Sequence, residues 1–348
     1  MWRAIGAATC RAEVTRHAAA LLEAAPKLYA ALQASLARTT LSTGNPRAPR
    51  CVPTGADPSL DPAAPPTGCL GDFRGIPELM YSAALSWRQT EDLFSYFMFA
   101  NDTRMPTRPT TLGCSGYNNK CSTYTAYGMA YGLLAHDMVE RFLLHYFGFG
   151  SAHAYTRGTV TTPEASSPDR DVGSTDYVAA GVMMAPTYLK WMLLFEDPTN
   201  QTLWLAKATP REWLSPGQAA IEVTNATTRY GRVSYALRAL PSAATPAATP
   251  AATPAATPAA TPAATSYSVR ASVHLPATFG AAATAPRGGV RLRLRAPTTR
   301  AGTLSRVLVG GKPWAAVDAA AETIDFDYEA LQRPALLKAL RDIVATWD

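Results

Sequence analysis

The stretch YSVRASVHL, residues 267–275, alternates apolar and polar side chains without interruption. A strand with one face in a hydrophobic core and the other in water has this period of two. The same alternation occurs in RVSYALR at residues 232–238 and in VRLRLR at residues 290–295. These segments predict an antiparallel sheet domain, with the arginines of 290–295 on its solvated face.

Two connections between the predicted strands have recognisable sequences. Val307 and Val309 lead into Gly310-Gly311, a dipeptide typical of a two-residue hairpin. Residues 243–265 repeat Ala-Ala-Thr-Pro, and proline at every fourth position excludes a helix and removes ladder donors. Because strands are predicted on both sides of this repeat, we interpret it as an expanded hairpin loop.

In the remainder of the chain, apolar residues either recur at helical spacing or show no regular spacing. Residues 41–72, rich in proline, are predicted to be irregular surface chain. Apolar residues at helical spacing predict helices over 11–37 with a break at Pro26, 77–100, 124–147 and 186–195, and a tail over 328–347 broken near Pro334. In the second helix, Trp87 lies on the predicted core stripe, whereas Glu91 and Asp92 lie on a polar face.

These elements predict an α+β multidomain chain. We place the boundaries at an N-terminal segment (1–70), a helical domain (71–214), a β-sandwich interrupted by the repeat (215–330) and a helical tail (331–348).

Composition excludes several classes of protein. The net charge is +6 and the positive residues are scattered, so neither nucleic acid nor a membrane surface is indicated as a partner. No apolar run is long enough to predict a membrane span. The chain has no P-loop, GxGxxG, HExxH or GxSxG motif, and we expect no cofactor and no metal.

The cysteines and sequons leave the compartment open. Five irregularly spaced cysteines argue against a closed disulfide framework, although Cys114 and Cys121 either close a short loop or remain thiols. Asn-x-Thr sequons at Asn101, Asn200 and Asn225 fit a secretory route. The N-terminal arginines fit a transit peptide instead. Neither localisation nor oligomeric state is predicted.

Residues 164–326 resemble the end of six-hairpin glycosidase-type proteins. The matching phrases are YLKWMLLFE (188–196), LWLAKATPREWL (203–214), TRYGRVSY (228–235) and VLVGGKPW (307–314). Such proteins close an (α/α)6 toroid of helical hairpins and then add an antiparallel β-sandwich. The resemblance therefore implies a partial α/α toroid followed by a sandwich. Because a full toroid has twelve helices, it implies a truncated member, a partial gene model or a remnant.

The resemblance also implies hydrolysis of a poly- or oligosaccharide. Hydrolysis of a glycosidic bond uses one carboxylic acid as proton donor and a second carboxylate as nucleophile or base. The polar loop after the helix over 124–147 supplies Glu164 and Asp171 as the candidate pair, and His153, Tyr155 and Arg157 as candidate substrate-binding residues. The alternative for each carboxylate is a solvated loop residue or a helix cap.

Aromatic rings are the second carbohydrate signal, because the C–H face of a sugar stacks on a flat ring. Possible platforms are Trp87, Tyr155, Trp191 and Trp204, of which Trp87 and Trp191 also fit the core stripes. With few predicted helices to form a cleft, we expect the chain alone to hydrolyse glycosides weakly or not at all. The alternative function is a non-catalytic protein that binds carbohydrate or a partner.

Overall fold

The structure is a computed structural model that describes residues 2–52, 75–82, 84–99, 116–117, 120–122, 127–150, 165–166, 173–174, 178–241, 266–280, 285–300 and 302–348. These residues form a mixed α+β chain with helices and mainly antiparallel sheets. They divide into two compact units. The helical unit comprises Met1–Asp137 and Leu144–Ala185, and the sheet unit comprises Met138–Leu143 and Pro186–Asp348.

The described helices are α1 (Trp2–Thr39), α2 (Gly75–Tyr81), α3 (Trp87–Phe99), α4 (Tyr127–Ala135), α5 (Val139–Leu143), α6 (Ala179–Leu193), α7 (Tyr328–Leu331) and α8 (Pro334–Ala339). A π-helical turn, Leu144–Gly150, follows α5. In the helical unit the strands are β1 (Leu41–Asn45), β2 (Ala48–Cys51), β3 (Gly116–Tyr117), β4 (Lys120–Ser122), β5 (Ala165–Ser166) and β6 (Gly173–Ser174).

The strands of the sheet unit are β7 (Leu194–Asp197), β8 (Thr202–Leu205), β9 (Ile221–Thr228), β10 (Gly231–Ala239), β11 (Tyr267–His274), β12 (Val290–Arg293), β13 (Leu304–Val309), β14 (Lys312–Pro313), β15 (Val317–Asp318), β16 (Thr323–Phe326) and β17 (Ile343–Trp347). They form a six-stranded sheet in the order β14-β13-β17-β11-β10-β9 and a five-stranded sheet in the order β15-β16-β12-β8-β7. Every neighbouring pair is antiparallel except β12 and β8, which are parallel. One cluster of buried hydrophobic side chains includes residues of both sheets.

The alternating segments form strands as predicted. Along β11, Tyr267, Val269, Ala271 and Val273 are buried whereas the residues between them are not. Strand β10 pairs with β11 in the register Ala239↔Val269, so the strands that flank the repeat are antiparallel partners. This confirms the expanded hairpin, while residues 243–265 themselves lie outside the described part of the chain.

The predicted two-residue hairpin is also confirmed. Gly310 and Gly311 have φ values of 56° and 75°, and Val309 pairs with Lys312 on the opposite strand. Both glycines therefore adopt the left-handed backbone that this turn requires.

The end of the chain differs from the predicted helical tail. Helices α7 and α8 form on either side of Gln332 and Arg333, but the last residues form β17, which lies between β13 and β11. Trp347 is buried there against Tyr267, with ring centroids 5.5 Å apart. Ile343, Ala345 and Trp347 are buried in alternation, which is a strand pattern too short for the sequence to show clearly.

Several predicted helices have different bounds. Helix α1 continues through Pro26, and β1 and β2 form a hairpin where irregular chain was predicted. The helix predicted over 124–147 is interrupted at Asp137, which has a φ of 60°, a conformation that aspartate tolerates better than most residues. Helix α6 begins seven residues before Pro186 and ends at Leu193, because Leu194–Asp197 pairs with β8.

The helix predicted over 77–100 is two helices, α2 and α3. The Ser86 hydroxyl accepts a hydrogen bond from the Gln89 backbone N–H at 3.3 Å, and the Ser86 N–H donates to Gln89 Oε1 at 2.8 Å. This reciprocal pair is a capping box, which starts a new helix at Trp87. Trp87, the first residue of α3, is 51% exposed, so the prediction that it packs in a core was wrong.

Cys51 is buried at the end of β2 and disulfide-bonded. Its partner is not among the residues whose side chains the structure describes. The irregular cysteine spacing thus conceals at least one disulfide.

Candidate functional site

The five residues selected from the sequence as catalytic or substrate-binding lie outside the described residues. They are Glu164 and Asp171, the candidate acid–base pair, and His153, Tyr155 and Arg157. Their proximity to one another therefore stays a prediction.

Trp204, a candidate sugar platform, is buried among cations in the sheet unit. The ring is 5% exposed, with Lys207 Nζ 3.4 Å from its centroid. The guanidinium carbons of Arg291 and Arg293 lie 4.8 Å and 5.0 Å from the same centroid. Cation–π contacts of this kind stabilise a ring within the protein. Trp204 thus has no open face for a sugar.

Two of the three arginines in residues 290–295 are not on a solvated face, so the prediction was wrong for them. Arg293 and Arg295 are each 4% exposed. Arg293 donates to the carbonyls of Ala321 and Lys207, both at 3.1 Å. Leu292 and Leu294, which alternate with these arginines, are buried as well, so both faces of this segment are covered. Alternation identifies two faces but does not show that one of them is wet.

Arg295, like Arg293, is a buried arginine that donates hydrogen bonds within the protein. Its guanidinium donates to the Thr209 carbonyl at 3.1 Å and to the carboxylate of Glu140 on α5. Burial lowers the pKa of Arg295, and the nearby Glu140 carboxylate opposes this effect. Arg295 therefore fixes α5 to the sheet within this unit rather than binding a ligand.

A cleft of about 570 Å³ in the sheet unit is lined by Arg211, Ala320, Thr303 and Glu322, among others. Glu322 accepts from Arg211 Nη1 at 2.7 Å through one oxygen and from the Ala296 N–H at 3.0 Å through the other. Both carboxylate oxygens of Glu322 are thus engaged by donors of the protein itself. Glu322 is a structural anchor.

Glu212 lies beside this cleft and is also engaged by hydrogen-bond donors. It accepts from the Thr298 hydroxyl at 2.6 Å and from Ser215 at 3.0 Å, and these hydrogen bonds lower the pKa of Glu212. Glu212 therefore lacks the raised pKa of a glycosidase proton donor.

A second cleft, of about 690 Å³, lies in the helical unit between the end of α1, the β1–β2 hairpin and α3. Asp92 points from α3 toward Arg88 at 3.2 Å and Arg50 at 3.7 Å, and its side chain is 7% exposed. The sequence placed Asp92 on a polar surface, but it is a buried carboxylate between two arginines.

A cluster of three tyrosines and one carboxylate lies where α2 contacts α4. We call Glu78, Tyr81, Tyr127 and Tyr131 the tyrosine cluster. The Tyr81 ring lies 5.3 Å from Tyr127 and 4.6 Å from Tyr131, measured between centroids, and Tyr81 remains 44% exposed. Gly132 allows the two helices to approach closely, because a Cβ at this position would lie only 3.0 Å from Met80 Cβ.

The Tyr127 hydroxyl donates to the carboxylate of Glu78. Burial, and then this hydrogen bond to Glu78, raise the pKa of Tyr127 to about 12. The sequence analysis did not identify this cluster. Its signal was the i, i+3 pair Glu78–Tyr81 and the i, i+4 pair Tyr127–Tyr131, but their approach depends on the α2–α4 contact.

No three metal-ligating side chains lie together among the described residues. Within the same residues, no helix has both the length and the apolar character needed to cross a bilayer. Comparisons with known protein families, with curated proteins and with solved structures found no match.

Proposed function

We propose that the chain is a glycoside hydrolase-like protein that acts on a poly- or oligosaccharide, with Glu164 and Asp171 as the acid–base pair. In this proposal, the two sheets with a common core are the C-terminal β-sandwich of a toroid-type enzyme, and the helices before them belong to the toroid. The observation that supports it is the position of the phrases at 188–196, 203–214, 228–235 and 307–314. All four lie in the sheet unit, and three span a turn between ordered elements.

Those phrases contain mainly packing residues. Tyr188, Lys207, Leu214 and Tyr235 are all buried. They support a common architecture more strongly than a common activity, because chemistry resides in a site rather than in a fold. The activity therefore depends on Glu164 and Asp171.

Release of reducing sugar from a panel of polysaccharides and aryl-glycosides tests this proposal. Replacing a general acid or base lowers the rate by ~10²–10⁴-fold, so Glu164→Gln and Asp171→Asn should each abolish detectable release. Glu222→Gln, a change at an exposed carboxylate on β9, is the matched control and should behave as the wild type. Release that survives Glu164→Gln would remove Glu164 from the mechanism.

Non-catalytic binding of carbohydrate or a partner is the second candidate function. The contacts of the carboxylates at the sheet-unit cleft favour it, since Glu322 and Glu212 are both engaged by donors of the protein itself. Saccharide binding with no release of sugar from any substrate, by wild type and Glu164→Gln alike, would support this candidate over hydrolysis.

A further inference from the structure

We propose that the tyrosine cluster of the helical unit is a subsite for a neutral sugar residue, with Tyr81 as the stacking platform and Glu78 as the hydroxyl acceptor. This inference rests on the proposed function, because it takes saccharide as the ligand. It adds a binding site that is separate from Glu164 and Asp171 in sequence and does not depend on catalysis.

The platform is a ring that its neighbours hold in place and leave accessible. Tyr127 meets Tyr81 edge-on, with an interplanar angle of 69°, and Tyr131 is tilted against it by 49°. Tyr131 is 8% exposed and belongs to the interior, whereas Tyr81 is 44% exposed. A tyrosine ring has few rotatable bonds, so fixing it in this way lowers the entropic cost of stacking a ligand on it.

The polar part of the subsite is the pair Glu78 and Tyr127. Glu78 and Tyr81 are three residues apart on α2, which places their side chains on one face of the helix. Glu78 is exposed, and one of its oxygens accepts from the Tyr127 hydroxyl. No described residue donates a hydrogen bond to the other oxygen, so it can accept from a sugar hydroxyl. A flat ring beside a carboxylate matches a sugar, which has an apolar C–H face and hydroxyls at its edge.

The charge of the subsite favours a neutral sugar over an acidic one. Burial, and then the hydrogen bond to Glu78, raise the pKa of Tyr127 to about 12, so the phenol stays neutral beside the Glu78 carboxylate. No described basic side chain forms an ion pair with Glu78, so a uronate or sulfated residue would be repelled.

Native electrophoresis of the full chain tests the subsite, in gels containing mixed-linkage β-glucan, xylan, galactomannan or soluble starch. We expect at least one of these to retard the wild type. Tyr81→Leu keeps an apolar side chain but removes the ring, and should weaken binding about tenfold or more, whereas Tyr81→Trp should retain it. Glu78→Gln should weaken binding several-fold. Tyr29→Ala, a change at a tyrosine on α1 that is 51% exposed, is the matched control and should bind as the wild type.

Equal retardation of wild type and Tyr81→Leu would overturn the subsite, as would a wild type that none of the four polymers retards. Circular dichroism melts of each variant identify loss of fold, and a Tyr81→Leu variant that unfolds is replaced by Tyr81→Met. Retardation that depends on Tyr81, together with no release of sugar, would leave the subsite standing and remove hydrolysis. Release of sugar together with binding that does not depend on Tyr81 would remove the subsite and leave hydrolysis standing.

Discussion

At the scale of single residues, the sheet unit contains an unusual density of buried positive charge. Lys207, Arg293 and Arg295 are each at most 4% exposed. Burying a cation is costly unless hydrogen bonds or anions compensate for the lost water. Here backbone carbonyls, the Trp204 ring and Glu140 supply that compensation. Arg293 at the end of β12 and Arg295 just after it therefore link this segment to the turn after β8.

Replacing one of these cations should cost much more stability than replacing an exposed arginine of the same unit. In Arg293→Ala the carbonyls of Ala321 and Lys207 lose their donor, and each buried acceptor left unpaired costs about 1–3 kcal/mol. We expect the free energy of unfolding to fall by about 3 kcal/mol, measured by urea denaturation followed by circular dichroism. Arg306→Ala on the exposed face of β13 should change it by less than ~0.5 kcal/mol. Similar changes in the free energy of unfolding for the two variants would mean that water replaces Arg293 as the donor to these two carbonyls.

The burial of these arginines could not be predicted from the sequence. The alternation in VRLRLR assigns Arg291 and Arg293 to one face of a strand, and both guanidinium groups do lie over the ring of Trp204. Whether this face is wet depends on the β12–β8 pairing, which joins residues more than eighty positions apart. The tyrosine cluster was missed for the same reason, because it needs a contact between two helices that the sequence does not specify.

At the scale of elements, short local signals decide where helices and strands begin and end. The capping box of Ser86 and Gln89 separates α2 from α3, and the apolar period over 77–100 conceals this boundary. The sequence SWRQ contains the signal, so this break could have been predicted. The strands β7 and β17 could not, because five or fewer residues with few polar side chains have no reliable period.

The Ser86 cap should have a measurable effect on the helical unit. Ser86→Ala removes the acceptor of the Gln89 N–H at the start of α3 and should lower the free energy of unfolding by about 1 kcal/mol. Ser35→Ala, the same substitution inside α1, removes no cap and should be neutral or slightly stabilising. Thermal melts followed by circular dichroism provide the comparison. An unchanged melt for Ser86→Ala would show that α3 begins without help from this cap.

At the scale of the whole molecule, the β10–β11 pairing decides what the Ala-Ala-Thr-Pro repeat can contribute. The two strands remain in register up to Ala239↔Val269, and the Leu240 N–H donates to the Ser268 carbonyl at 2.8 Å. The chain thus returns to the neighbouring strand whatever the length of the connection. Strand β11 is then flanked by β10 and by the C-terminal β17, so the sheet is completed by residues far from the repeat.

Replacing residues 243–265 with a five-residue turn should therefore leave the sheet unit folded and slightly more stable. Each halving of a flexible loop lowers its closure cost by only ~0.6 kcal/mol, so we expect a gain of about 1 kcal/mol. Urea denaturation measures the gain, and a variant in which the repeat is reordered at constant length and composition is the control, expected to match the wild type. Loss of cooperative unfolding in the shortened variant would mean that the repeat stabilises β10 and β11 directly. Loss in the reordered variant alone would mean that its four-residue period is needed.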